Sequence, residues 1–261
     1  MSHDEIYRWH DAALHRSTGD ALPAGTVAVA DSWLVTEGST LALALHRTRF
    51  LDAVNTVSVT PHPDAAEFFD AAVALIPRHG AQFPRVELRT DSSSSEFVLR
   101  LREAPELNRS VVVASIAGGD PRTQPRIKGP DLEQMAEARS VAATVGAGEA
   151  VVLTDEGYVI EGAYSALLWW RGNILCGPLA EFDRVDSVTA RSVLALANAL
   201  GIETYDEAVT PTELEGTELW SLSALHGVRI VTGWVDGPAL AELPGRLSTW
   251  RARLGALRQP L

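Results

Sequence analysis

Apolar and polar positions alternate along Thr26–Val35, and that period of two predicts a strand. Thr36-Glu37-Gly38-Ser39 supplies turn residues, and Leu41–Leu45 alternates again, so the pattern predicts a hairpin. A helix is expected from His46 to Val54. A second starts at Pro63-Asp64 and carries Phe68, Phe69, Ala72, Leu75 and Ile76 at helical spacing. Arg85–Arg89, Glu96–Arg102 and Ser110–Ala114 read as strands, with Ser92–Ser95 as a flexible loop tip between the first two.

Gly118–Pro125 is rich in glycine and proline and is the expected interdomain punctuation. Beyond it the pattern predicts a helix over Asp131–Val145, strands over Ala150–Thr154 and Tyr158–Glu161, and strands over Ser165–Trp170 and Ile174-Leu175. An amphipathic helix follows over Val188–Leu200, capped by Gly201. Strands at Leu219–Ser223 and Val228–Trp234 and a helix from about Pro244 to Leu257 complete the chain. The expected fold class is α+β in two lobes. A smaller N-terminal α/β domain takes residues 1–118, an interdomain loop residues 119–125, and a larger C-terminal domain residues 126–261.

Composition narrows the chemistry. Hydrophobic residues make up 46% and charged residues 21% of the 261 positions, as in an ordinary globular protein. The formal net charge of −12 disfavours a nucleic-acid or anionic-membrane partner. No apolar run approaches the ~20 residues of a membrane span. The start Met1-Ser2-His3-Asp4-Glu5 lacks the pattern of a signal peptide, and the lone Cys176 fits a reducing cytoplasm. Cys176 reads as a small buried hydrophobe rather than a nucleophile.

Of 22 basic residues, one is a lysine, Lys128. Drift from lysine to arginine in a GC-rich genome is the plain explanation. The chemical one is that an amine can form a Schiff base and a guanidinium cannot. Three later segments bear on the choice. Ile160-Glu161-Gly162 puts a carboxylate at a strand end. Ser187-Val188-Thr189 puts hydroxyls where a helix presents unpaired N–H groups. Ser221–Gly227 adds small hydroxyls after a strand. An amine, a carboxylate and a helix-end anion site are what pyridoxal phosphate requires. No Gly-x-Ser-x-Gly elbow and no His/Cys cluster at metal-ligand spacing supports a cofactor-free hydrolase or a metal enzyme.

In order along the chain, Ile127-Lys128, Val159–Ser165, Ser187–Arg191 and His46–Phe50 resemble the motifs of the class IV (fold-type IV) pyridoxal-phosphate enzymes. That group holds branched-chain aminotransferases, D-amino acid aminotransferases and aminodeoxychorismate lyases. The resemblance implies a fold-type IV architecture whose C-terminal domain is mixed and β-barrel-like. It implies Lys128 as the Schiff-base residue, later the general base, and Glu161 as partner of the pyridinium. It implies Arg49, Ser187, Val188, Thr189, Ser223 and Ala224 as further cofactor ligands, and Arg89 and His226 on the substrate side. It also implies a homodimer with the active site between the lobes.

Glu218–Arg229 is most similar to the lyase branch, which favours 4-amino-4-deoxychorismate lyase in folate biosynthesis. A branched-chain or D-amino acid aminotransferase is the alternative reading. The chain also departs from the family pattern. Asp131-Leu132 stand where a tyrosine or Asn-Leu is usual, and Ala166 replaces an asparagine. Ser187 replaces a glycine, the following arginine is displaced to Arg191, and the first-hairpin signature shrinks to Asp31-Ser32. These departures motivate a third reading, a catalytically degenerate relative kept for binding. The plainer roles are a surface charge for Glu161, a helix cap for Ser187 or Thr189, a solvated helix charge for Arg49 with Arg47 nearby, and a polar loop residue for His226. Trp169-Trp170 reads as strand packing.

Overall fold

The computed structural model describes residues 4–17, 22–59, 61–92 and 94–261. Met1–His3 of the expected leader-free start and Ser93 of the serine run lie outside the described residues. The chain forms two compact units. The first comprises Met1–Leu107, Ile127–Pro130 and Leu257–Leu261, and the second Asn108–Arg126 and Asp131–Ala256. This differs from a boundary in 119–125. The strand Ser110–Ser115 pairs with Gly227–Trp234 and Glu149–Leu153 in the second unit, while Ile127–Pro130 belongs to the first.

The first unit is built on a five-stranded sheet in the order Ala13–Arg16, Glu5–His10, Ser95–Leu101, Arg85–Thr90, Thr26–Ser32, all antiparallel. Helices α1 (Leu43–Val57) and α2 (Ala65–Leu75) supply its other layer. Phe50 of α1 and Phe68 and Phe69 of α2 are fully buried with Val86, Leu88 and Leu99. The Phe68 ring stacks on Phe97 at 4.8 Å. Each such side chain contributes about 1.5–3 kcal/mol of transfer free energy, so this aromatic cluster fixes the helices on the sheet.

The expected strand Thr26–Val35 is cut short at Ser32. Trp33 leaves the sheet to stack on Phe69 at 5.2 Å, fully buried, and Val35-Thr36 joins a separate small sheet. The return strand expected over Leu41–Leu45 does not form. Only Ser39-Thr40 pairs back; Ala42 then takes a left-handed conformation at φ 51° and α1 begins at Leu43. Asp64 precedes α2 as expected but does not cap it, because its carboxylate accepts Trp9 Nε1 at 2.6 Å.

The second unit is an eight-stranded mixed sheet. Its order is Val159–Gly162, Glu149–Leu153, Ser110–Ser115, Gly227–Trp234, Glu218–Ser223, Ala166–Arg171, Ile174–Pro178, Thr204–Glu207. Helices α3 (Leu132–Thr144), α4 (Val188–Ala199) and α5 (Arg246–Ala256) pack on it. Trp170 and Trp220 of adjacent strands meet Trp250 of α5 edge to face at 5.6 Å each. Gly201 ends α4 at φ +69°, with Ile202 N–H returning to Ala197 C=O, as its position predicts. The expected α+β class holds, since the antiparallel first sheet and the mixed second sheet each keep their own helices.

Thr26–Ser32 is an edge strand, and Ile127–Pro130 runs beside it. The Ala30 N–H donates to the Lys128 carbonyl at 2.7 Å. Gly129 sits at φ +147°, and a Cβ there would lie 2.8 Å from Val29 Cα. Gly129→Ala is therefore expected to cost about 1–3 kcal/mol, read as a thermal midpoint lower by several degrees. An unchanged midpoint would show that this contact does not constrain the chain.

Candidate active site

Lys128 lies in the first unit, held by the edge contact just described. Burial pushes its amine down to about 8, helped by the guanidiniums of Arg49, Arg85 and Arg102 and opposed by Asp31. A bulge at Ala28 sets the strand register so that Asp31 pairs with Val86 and shares its face with the helix layer. There Asp31, fully buried, receives Arg49 through Nε at 2.8 Å and Nη2 at 2.8 Å, and His46 Nδ1 at 2.8 Å. Burial alone would raise the Asp31 carboxyl, but Arg49 and His46 hold it far below its ordinary range. His46 and Arg49 are one turn apart on α1, which is why both reach one carboxylate.

Arg89, the candidate substrate ligand, has its guanidinium engaged inside the unit. Nε reaches Pro23 C=O at 3.2 Å, Nη1 reaches Glu87 at 2.9 Å and Nη2 reaches Gly25 C=O at 2.7 Å. These contacts tie the loop before Thr26 to the sheet. They leave Arg89 no unengaged nitrogen.

Glu161 lies in the second unit at a buried strand end. Its Oε1 accepts Arg122 Nη1 in a short contact and Val185 N–H at 3.4 Å. Burial pushes the carboxyl up to about 8, against the opposing charge of Arg122. Arg122 is itself clamped by Asp120, through Nε at 2.8 Å and Nη2 at 2.7 Å, and by Asp183 C=O at 3.0 Å. Sequence reasoning missed Arg122, because it sits in an irregular Gly/Pro segment and contacts Glu161 across 39 positions. The turn after Glu161 is pinned by buried Glu149, which accepts Tyr164 N–H at 3.3 Å and Ser165 Oγ–H at 3.1 Å. Gly162 is required there, since a Cβ would lie 2.4 Å from Ser165 Oγ.

Asp131 stands where the family pattern has another residue, and its buried carboxylate has structural work. It accepts Thr123 N–H at 2.8 Å, Thr123 Oγ–H at 2.7 Å and Gln124 N–H at 2.9 Å. It thereby closes the ends of the segment that carries Lys128.

The start of α4 is an anion site in outline. Ser187 Oγ caps Ala190 N–H at 3.2 Å, which leaves the earlier N–H groups of Val188 and Thr189 without an intrahelical partner. Thr189 is 3% exposed, and its hydroxyl has no hydrogen-bond partner among the described residues. Helix α4 packs on the strand Glu218–Ser223, which leads into Ser223-Ala224. Ser223 Oγ accepts His226 N–H at 3.2 Å. Burial and then Arg229 push the His226 imidazole down to about 4, so it is neutral at pH 7, and its Nδ1 accepts Asn108 N–H at 3.2 Å. Cys176 is buried, and burial pushes its thiol up to about 11, as suits a packing residue.

A family model described as Amino-transferase class IV matches residues 28–234. The chain belongs to the class IV aminotransferase family. Its members are pyridoxal-phosphate-dependent aminotransferases and lyases, so this protein is a pyridoxal-phosphate enzyme. No curated protein sequence matches the chain. Among solved structures, a branched-chain aminotransferase from Thermoproteus uzoniensis is similar at TM-score 0.83 and 18% identity, over 98% of this chain and 96% of that one. A hypothetical aminotransferase from Mycobacterium tuberculosis in its PLP-bound form gives 0.81 and 17%, over 97% and 98%. A proposed 4-amino-4-deoxychorismate lyase from Legionella pneumophila gives 0.77 and 15%, over 90% and 96%. At these identities the likeness is one of fold.

The residues present fit the cofactor. A threonine hydroxyl without a partner among the described residues, beside two orphan N–H groups, suits a phosphate, and an amine with a lowered pKa suits an aldehyde. Of the Glu161 oxygens, Oε1 carries the protein contacts, while Oε2 has no partner among the described residues.

The Glu161 environment has a pH signature. A carboxyl whose folded pKa is raised contributes stability below its ordinary 4.5 and loses it as pH rises to about 8. In the protein without cofactor, Glu161→Gln carries no such ionisation. The stability of E161Q relative to wild type should therefore climb between pH 4.5 and about 8 and then level off. Denaturant melts across that range check it; a flat difference would mean that burial does not raise this carboxyl.

Proposed function

We propose that this enzyme acts on an amine-bearing small molecule, with Lys128 holding the cofactor covalently and Glu161 facing its pyridine nitrogen. In this reading Ser187, Val188, Thr189, Ser223 and Ala224 hold the phosphate, and Arg49 orients the cofactor side of the site. The observation that carries the reading is the Lys128 amine, brought down to about 8 by burial among guanidiniums. A lysine in that condition is a nucleophile near neutral pH and, once released, a base. When bound, pyridoxal phosphate supplies an electron sink for a carbanion next to the amino nitrogen.

The residues divide the remaining work. Lys128 takes the α proton of the substrate on Nζ. Arg122 keeps Oε1 of Glu161 engaged, so that the carboxyl group presents Oε2. Arg49 is pre-aligned by Asp31 and costs little ordering when an anion arrives. Neutral His226 offers an imidazole N–H at the turn after Ser223.

For the substrate, we favour 4-amino-4-deoxychorismate, with release of pyruvate and 4-aminobenzoate. What supports it is the Glu218–Arg229 segment, with its Ser-Ala-Leu-His-Gly turn of lyase type. A soluble homodimer in the cytoplasm accords with this reading; among the described residues no helix is long and apolar enough to cross a membrane.

Two measurements test the assignment. Incubated with 4-amino-4-deoxychorismate, the holoenzyme should release pyruvate and 4-aminobenzoate in equal amounts. Amine transfer between amino acids and 2-oxo acids without pyruvate release would make it an aminotransferase, and neither activity would favour a binding relative. Separately, the rate of covalent cofactor uptake should rise with pH to a plateau above about 8, since only the neutral amine attacks. A rate still climbing at pH 10 would contradict the environment described for Lys128.

A further inference from the structure

Asp120-Pro121-Arg122 closes on itself inside the second unit. The Asp120 carboxylate accepts the Arg122 backbone N–H at 3.0 Å, an Asx-type turn that folds the arginine back over the residue two places before it. The side chain then meets the same carboxylate at two points, Nε to Oδ1 at 2.8 Å and Nη2 to Oδ2 at 2.7 Å. Nη2 also donates to Asp183 C=O at 3.0 Å. That leaves Nη1, which donates to Oε1 of Glu161. The Arg122 side chain is only 3% exposed, so water screens this arrangement little.

Two carboxyl groups therefore share one guanidinium, and they share it unequally. Asp120 holds it by two parallel bonds, the stronger arrangement, while Glu161 has one. A buried acid that commands its own cation is held below its ordinary range, as Asp31 is by Arg49 and His46. Glu161 is instead pushed up to about 8: burial raises it, Arg122, the Val185 N–H and Arg184 oppose that, and Asp120 adds to it. Arg184 brings little relief, since its guanidinium is taken up by the carbonyls of Pro178, Leu179 and Phe182. Asp131, whose charge Arg122 also feels, adds a further negative group. The cluster is one cation short, and Oε2 is the oxygen of Glu161 without a partner among the described residues.

We propose that Asp120 is a positioning residue acting through Arg122: it keeps that guanidinium from neutralising Glu161, so that the carboxyl group holds its proton until one basic nitrogen arrives at Oε2. The inference rests on the reading of Glu161 as partner of the pyridine nitrogen, and it fixes the form in which the site takes that ring as the neutral base. On binding, the Glu161 O–H bond breaks, an N–H bond forms on the ring, and the carboxylate stays behind as counter-ion. Without Asp120, Arg122 would ionise Glu161 beforehand, and the nitrogen would face a carboxylate that already has its cation.

The experiment reads Glu161 directly. Protein without cofactor, labelled with carbon-13 at its glutamate carboxyl groups, is titrated by NMR, and the Glu161 signal is the one absent from E161Q. Wild type should titrate near 8. Asp120→Asn should lower the proton affinity of Glu161 about three- to tenfold, and Arg122→Gln should raise it about tenfold or more. Asp120→Glu keeps the charge and should stay near wild type. General loosening of the turn would move D120N and R122Q the same way. A D120N titration that stays in place or moves upward overturns the proposal, and D120N decides alone if R122Q does not fold. In parallel, affinity is measured for pyridoxal phosphate and for its analogue with C–H in place of the ring nitrogen. Wild type should prefer pyridoxal phosphate, and D120N should lose about three- to tenfold of that preference; an undiminished preference also overturns the proposal. Equal binding of the two by wild type would instead remove the reading of Glu161, and the NMR titration would still decide whether Asp120 sets its charge.

Discussion

A protonated amine is expensive to bury beside guanidiniums, and the first unit is arranged so that Lys128 faces that cost. Its carbonyl is fixed to Ala30 on an edge strand, and the following residue must be glycine for the backbones to approach. The amine cannot swing its attachment away, and its pKa of about 8 gives the neutral form a sizeable share near physiological pH, where an ordinary lysine has almost none. The proposed roles of the other residues take their meaning from this. Without a nucleophilic amine, a helix N-terminus and a buried carboxylate are ordinary features of an α+β protein.

The opposite device recurs around the buried acids. Asp31 has Arg49, Glu87 has three arginines, Glu149 has Arg139 and Arg229, and Glu161 has Arg122. Arginine suits these places because its planar fork makes two directed contacts and its charge survives burial. A lysine in such a pair would titrate more readily. This gives the arginine-rich composition a structural use beyond base composition, while leaving Lys128 as the one amine side chain.

Much of this was legible in the chain. Strands with clear alternation, such as Arg85–Thr90 and Ser95–Leu101, and helices with apolar stripes, such as α2 and α4, formed where periodicity put them. Elements that depend on tertiary packing were not. Alternation over Leu41–Leu45 was overridden when Ala42 turned the chain into α1, and Trp33 left its strand for an aromatic partner. The first strands, Glu5–His10 and Ala13–Arg16, carry too few apolar residues to stand out. Of the proposed site residues, Lys128 and Glu161 stood out by rarity and by placement next to glycine. Arg122 did not, since an arginine's importance here depends on which acid it meets, and local spacing carries no record of that.

The most direct test of the central claim is where the cofactor attaches. Purified protein incubated with pyridoxal phosphate, reduced with borohydride and digested should show the added mass on the peptide containing Lys128. Lys128→Arg should fold normally and carry none. Unlabelled wild-type protein, or label retained in the K128R variant at the N-terminal amine, would contradict the account.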